Sequence, residues 1–262
     1  METNLILLII STSIKSVVIF SLGTILLRKW IKQNQKYYTD FPFLNSLGFY
    51  FYAIGKLFDI YLYIRFRTND TTGIISDYQA LAFAKARFIL SPVIVLIPYV
   101  ILMLVIWFQG KKKLQIGIGF GWALISIIAV LFAHSYPQLL TINAIIAFPP
   151  IFLSIITFGI INHQKRLPQI NSLILMIGWS SYVVSQLIRS IWVTLGSGTW
   201  GLSYVGELLE MVTFVIIGIG FMIPAFYHKS EEQSTIFQRD NNNFEEEIEN
   251  VDILSSYNLA KL

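Results

Sequence analysis

Phe49–Ile64, FYFYAIGKLFDIYLYI, decides the fold class of this chain. The stretch is aromatic, apolar and long enough to lie in a bilayer, yet it carries Lys56 and Asp59 three residues apart, on one face of a helix. Ionisable groups at membrane depth cost several kcal/mol unless they find a partner or water. The two residues are therefore either a pair that holds the fold or part of a polar site between helices. The rest of the composition agrees with the membrane reading. Of 262 residues, 55% are hydrophobic and 13% charged, with mean hydropathy +0.64, whereas a soluble domain carries about 25% charged residues.

Composition also excludes several chemistries. With no cysteine there is no disulfide, thiolate metal site or catalytic thiol, and His134, His163 and His228 show no metal-ligand spacing. No cofactor is implied. The N-terminal run Leu5–Leu27 is longer than a signal h-region and is expected to be a retained first span. No water-exposed basic domain is present for nucleic acid, because the basic residues border hydrophobic runs.

A hydrocarbon core of about 30 Å needs roughly 20 apolar residues per helix. Seven stretches qualify, near 4–27, 41–64, 79–108, 114–133, 139–162, 169–195 and 203–227. The sequence thus predicts an all-α integral membrane protein, a bundle of seven transmembrane helices over 1–227. An acidic tail follows over 228–262. Its residues Phe244, Ile248, Val251 and Leu254 fall at helical spacing, which is compatible with a disordered tail or with a short amphipathic docking helix over 244–258. Arg28, Lys29, Lys32, Lys36, Lys111, Lys112, Lys113, Lys165, Arg166 and Lys229 all fall on one side of the bundle, against Arg65 and Arg67 on the other. The positive-inside rule then puts the N-terminus outside and the tail in the cytoplasm, with the plasma membrane as the expected location. Pro149–Pro150 is expected to kink the fifth stretch and Pro224 to bend the seventh. Gly117 and Gly121 form a GxxxG pair expected to pack against another helix.

The ionisable residues at membrane depth lie at the centre or in the outer half. Lys15 sits in a polar run of the first stretch, Lys56 and Asp59 in the second, Lys85 and Arg87 in the third, Arg189 in the sixth, and Glu207 and Glu210 in the seventh. Helical spacing collects Asn45, Gly48, Tyr52, Lys56, Asp59 and Tyr63 into one stripe, and Gly178, Ser181, Ser185, Arg189 and Trp192 into another. These stripes point to a polar cleft open to the outer side. Its candidate ligand-binding residues are Lys15, Tyr52, Lys56, Asp59, Arg87, Ser185, Arg189, Glu207 and Glu210. Five cations against three anions favour a small anionic ligand. Purely structural pairs, Lys56 with Asp59 and Arg189 with Glu207 or Glu210, are the competing reading. Glu207 and Glu210 could form an acid/base couple, but carboxylates three apart beside an arginine are more often salt-bridge partners. No GxSxG, HExxH or Asp-rich motif supports an enzyme.

Ala80–Lys113, ALAFAKARFILSPVIVLIPYVILMLVIWFQGKKK, resembles a helix of the seven-helix sensory module at the N-terminus of some prokaryotic membrane histidine kinases. The shared pattern is a basic, aromatic start, an early proline, then an aromatic end running into Gly and Lys. The resemblance extends over 4–227 in helix order, orientation and loop length. It implies a sensor bundle. The tail is too short for a dimerisation helix pair and an ATP-binding domain, so signalling would pass through the tail, a cytoplasmic partner or a homodimer. Microbial rhodopsins fit less well, since Leu208–Phe226 has no lysine for retinal. The expected function is a multi-pass membrane sensor or receptor-like module. A small-solute transporter and an accessory subunit of a membrane complex are the alternatives.

Overall fold

Inside a hydrocarbon layer an apolar run satisfies its backbone polar groups by pairing them within itself as a helix. The computed structural model describes residues 2–33, 40–66, 78–108, 110–165, 167–195 and 203–225, with Phe41, Pro92, Pro98, Tyr99, Leu102, Val105, Pro137 and 189–195 described as backbone only. Among them every regular element is helical. The order is α1 (Glu2–Ile31), α2 (Phe41–Phe66), α3 (Tyr78–Phe88), a π-helical turn (Ile89–Val93), α4 (Ile94–Trp107), α5 (Lys112–Leu131), α6 (Tyr136–Gln164), α7 (Ser172–Leu195) and α8 (Ser203–Met222). Six helices are long and apolar enough to cross a membrane, which is the architecture of an all-α, multi-pass membrane protein. The predicted stretch 169–195 is α7, whose described apolar part, Ser172–Ile188, is shorter than the other six. The tail 228–262 and the core of the loop between α2 and α3, 67–77, lie outside the described residues.

The predicted third stretch is α3, the π turn and α4 in continuous succession. Pro92 has no N–H to donate to the carbonyl one turn back, and the helix widens there rather than breaking. The wide turn brings Ser91 against Gly55 of α2. A Cβ on Gly55 would lie 2.8 Å from the Ser91 Cβ, so no larger residue fits without a shift. One turn further along α2 and one turn back along α3, Asp59 meets Arg87.

The core is built where α1, α2 and α8 meet. Ile19, Leu22 and Leu26 of α1, Phe49 and Ala53 of α2, and Phe214, Ile217 and Phe221 of α8 belong to one buried cluster. Ser16 Oγ donates to the Ala53 carbonyl at 3.1 Å, and Tyr50 Oη to Thr24 Oγ1 at 3.2 Å, so α1 and α2 run antiparallel. The α7–α8 pair is antiparallel too, with Gly178 against Ile217 and Gly220 against Leu175. By contrast α1 and α8 run parallel. Lys15 meets Glu207 and Glu210, Leu22 covers Gly218, and Lys29 Nζ donates to the carbonyls of Phe221 at 2.9 Å and Met222 at 3.2 Å.

Two local expectations change. Gly117 and Gly121 have open space where a Cβ would stand, so the GxxxG face of α5 packs on no described helix. Pro224 does not bend α8, because the helix ends at Met222. The last backbone bond, from Ile223 N to the Ile219 carbonyl, precedes the proline that cannot extend the ladder. Pro149 and Pro150 lie inside α6, which continues through them as one helix.

Candidate functional site

The ionisable residues of α1, α2, α3 and α8 form one chain of contacts. Arg87 of α3 holds Asp59 of α2 with two parallel bonds, Nε to Oδ1 at 2.8 Å and an Nη2 donor to Oδ2 at 3.2 Å. Asp59 Oδ2 lies 3.0 Å from Lys56 Nζ, one turn away on the same helix. Lys56 reaches Glu207 of α8 at 3.1 Å. Glu207 and Glu210 then share Lys15 of α1, at 2.8 and 2.5 Å. Tyr52 Oη closes the chain by donating to Glu210 Oε1. The Tyr52 ring also faces both ammonium groups, 5.4 Å from Lys15 Nζ and 5.7 Å from Lys56 Nζ.

Local sequence explains why these groups converge. Lys56 and Asp59 are three apart on α2, with Tyr52 one turn earlier. Glu207 and Glu210 are three apart on α8. Each helix therefore presents its polar groups on one face. Lys15 follows the run Ser11–Ser13, whose serine hydroxyls donate back to the carbonyls of Leu8 at 3.0 Å and Ile9 at 2.7 Å and so need no partner across the interface. The chain of charges is thoroughly buried. Five of its six ionisable side chains are at most 4% exposed and only Arg87, at 14%, reaches outward. Three cations alternate with three anions. The excess of positive charge expected from the sequence is absent from this network. Lys85 lies apart from it and donates to the Leu131 carbonyl at 2.7 Å, and the Arg189 side chain lies outside the described residues.

Beside this network lies a cavity of about 420 Å³. It is bounded by α2, α3, the π turn, α4, α6, α7 and α8. Aromatic rings form much of the wall: Phe88, Tyr136, Phe148, Trp179, Tyr182 and Phe214. Tyr52, Arg87 and Glu210 line it as well, so both ends of the charge chain open onto it. The remaining polar wall comes from Ser91, Asn143 and Gln186. Asn143 Oδ1 is buried without a hydrogen-bond partner among the described residues.

The sequence-derived candidates therefore divide. Tyr52, Arg87 and Glu210 touch the cavity. Lys15, Lys56, Asp59 and Glu207 stand behind it as the network that holds those three in place. Ser185 is buried, but its hydroxyl donates to the Tyr182 carbonyl at 2.7 Å and it does not line the cavity. On α7 the cavity face is Trp179, Tyr182, Val183 and Gln186, rotated by one residue from the predicted stripe of Ser181 and Ser185. Asn143 was missed as well. Its signal was an amide in TINA, just before the apolar run IIAFPP.

No known protein family matches the chain, and no curated protein or solved structure is significantly similar to it. Chemistry must then be read from the site. Each carboxylate of the network faces a cation at hydrogen-bond distance, which suits ion pairing rather than proton abstraction. Among the described residues no group of three His, Cys, Asp or Glu side chains could hold a metal ion. What the arrangement offers is an aromatic cavity whose two charged wall residues are fixed by a neutral, buried network.

The C-terminal end of α8 is equally well tied. Beyond the bonds from Lys29, Asn171 N donates to the Gly220 carbonyl at 2.8 Å and Asn171 Nδ2 to the Pro224 carbonyl at 3.3 Å. Ala225 N donates to the Pro168 carbonyl at 3.0 Å. These bonds satisfy carbonyls that a helix end leaves open, and they fix α8 to α1 and α7 just before the tail begins.

Proposed function

We propose that this chain is a seven-span sensor of the plasma membrane, with its N-terminus outside and its acidic tail in the cytoplasm. A small molecule in the cavity is the signal, and α8 carries it to the tail. The observation that supports this reading is the double position of Glu210. It lines the cavity and at the same time joins α8 to Lys15 of α1 and Tyr52 of α2. A ligand that shifts Tyr52 or Glu210 acts on the α1–α8 contact, and α8 leads directly into the tail. A ligand can shift the bundle only if it binds one arrangement of α8 more tightly than another. The buried ion pairs make such arrangements discrete, because a half-broken pair at membrane depth is costly.

The chain has no cysteine, so introduced cysteines can be labelled without background. A spin-label pair at Gln33→Cys and Ser230→Cys reports the position of the tail against the end of α1. Ala147 lines the cavity, and Ala147→Trp places an indole where a ligand would stand. The expected result is a changed label-to-label distance in Ala147→Trp, and again in Ala144→Phe, with both variants retaining the parent's unfolding midpoint. Unchanged distances in two folded, cavity-filled variants would refute a sensor that works through α8.

A further inference from the structure

The cavity wall restricts the chemistry of what it can hold. We infer that its ligand is a neutral, planar aromatic molecule carrying one N–H or O–H donor, held by rings from α3, α7 and α8 and by Asn143 Oδ1. This inference deepens the sensor reading and rests on it for its biological role.

Charge comes first. Among the described residues, the two charged groups in the wall are of opposite sign, and each is already engaged. Arg87 grips Asp59 with two bonds, and Glu210 holds Lys15 and Tyr52. An anion would stand against Glu210 and a cation against Arg87. Either would also bring a net charge into a space whose own charges cancel, with burial working against it. A neutral molecule meets neither obstacle. The fixed ion pairs then act as walls rather than as ligands.

Shape and polarity come next. A volume of about 420 Å³ lies within the range of small-molecule sites. Phe214 stands at the centre of a ring cluster, 4.4 Å from Tyr52 and 5.7 Å from Tyr182, while Trp179 lies 5.9 Å from Tyr182, centroid to centroid. Tilted and edge-on rings of this kind accept a further flat ring by the same stacking geometry. On α6, Asn143 lines the cavity too, and its Oδ1 is an acceptor that is buried and has no partner among the described residues. A buried acceptor favours a donor strongly, because leaving it unmet costs more than an average hydrogen bond gains. The ligand therefore needs a donor as well as a ring.

Indole is a suitable probe, with N-methylindole lacking the donor and indoleacetate adding a negative charge. The measurement is calorimetric titration of the full chain in lipid nanodiscs. Indole is expected to bind saturably, N-methylindole about tenfold more weakly, and indoleacetate more weakly than indole. Asn143→Leu should erase the difference between indole and N-methylindole, and Ala147→Trp should abolish binding of both. Equal binding of indole and N-methylindole to the parent chain would overturn the inference. So would tightest binding of indoleacetate, or no saturable binding by any of the three. The tail-label distance, measured in the same samples, separates the two readings. Indole binding without tail movement removes the sensor role and leaves the ligand class standing. Tail movement in Ala147→Trp, with no saturable indole binding by the parent chain, does the reverse.

Discussion

Lys15 is the residue on which the most depends. It is wholly buried near the middle of α1 and takes two carboxylates from α8 at once. A buried pair is weak evidence of net stabilisation, but removing one partner strands the other charge. Lys15→Met leaves Glu207 with Lys56 and deprives Glu210 of its nearest cation. The expected loss is about 3–5 kcal/mol. Adding Glu210→Gln should recover more than half of it, since the stranded charge is then gone and the amide still accepts from Tyr52. Unfolding midpoints in detergent for the parent, the single and the double variant decide this. A double variant no more stable than the single would mean that Glu210 is not charged in the folded chain. Much of this network was legible at the residue scale. Spacing of three placed Lys56 with Asp59 and Glu207 with Glu210, and depth put all of them in one layer. The pairing across the chain was not legible. Glu207 takes Lys15 and Lys56, and Asp59 takes Arg87, because those choices depend on which helices are neighbours. A count of charges along a sequence likewise cannot say which of them share a cavity.

At the scale of elements, the glycines show where helices touch. A Cβ at Gly178 would lie 2.7 Å from Ile217 Cγ1 and 3.2 Å from its backbone nitrogen. One at Gly220 would lie 2.8 Å from Leu175 side-chain atoms and 3.1 Å from its nitrogen. Because backbone atoms stand in the way, the α7–α8 pair cannot yield by a rotamer change alone. Gly178→Ala and Gly220→Ala are expected to cost about 1–3 kcal/mol each. Gly117→Ala and Gly121→Ala on α5 meet open space and should be neutral or stabilising by up to about 1 kcal/mol. Thermal unfolding of the four variants in one detergent tests the contrast, and equal losses in both pairs would contradict it. The sequence suggested the reverse order of importance, since Gly117 and Gly121 form the motif and Gly178 and Gly220 form none. A motif records that a close approach is permitted, and the partner decides whether it occurs. The π turn follows similar logic. Pro92 cannot continue the backbone ladder, but only the fit of Ser91 to Gly55 shows that the outcome is a wider turn held against α2.

For the whole molecule, the direction of α8 relative to α1 bears on the number of crossings. If each successive span reverses direction, the first and last run parallel only when the count is odd. Lys15, Leu22 and Lys29 of α1 meet α8 in the same order as Glu207, Gly218 and Phe221, so the two helices are parallel. Six crossings would make them antiparallel. On the seven-span reading proposed above, the helix that restores the odd number is α7. Its 24 residues span about 36 Å, enough for a hydrocarbon core of about 30 Å. It also packs antiparallel to α8 through Gly178 and Gly220. Apolar length alone made seven segments visible in the sequence, and the asymmetry of lysine and arginine suggested a direction; the parallel contact is an independent argument for an odd number of crossings. It leads to a labelling experiment on intact cells with a membrane-impermeant maleimide. Glu2→Cys should be modified from outside, and Ser230→Cys only after the membrane is permeabilised. Modification of both from the same side would mean an even number of crossings, and the α1–α8 contact would then have to form between helices entering the bilayer from opposite faces, which their residue order forbids.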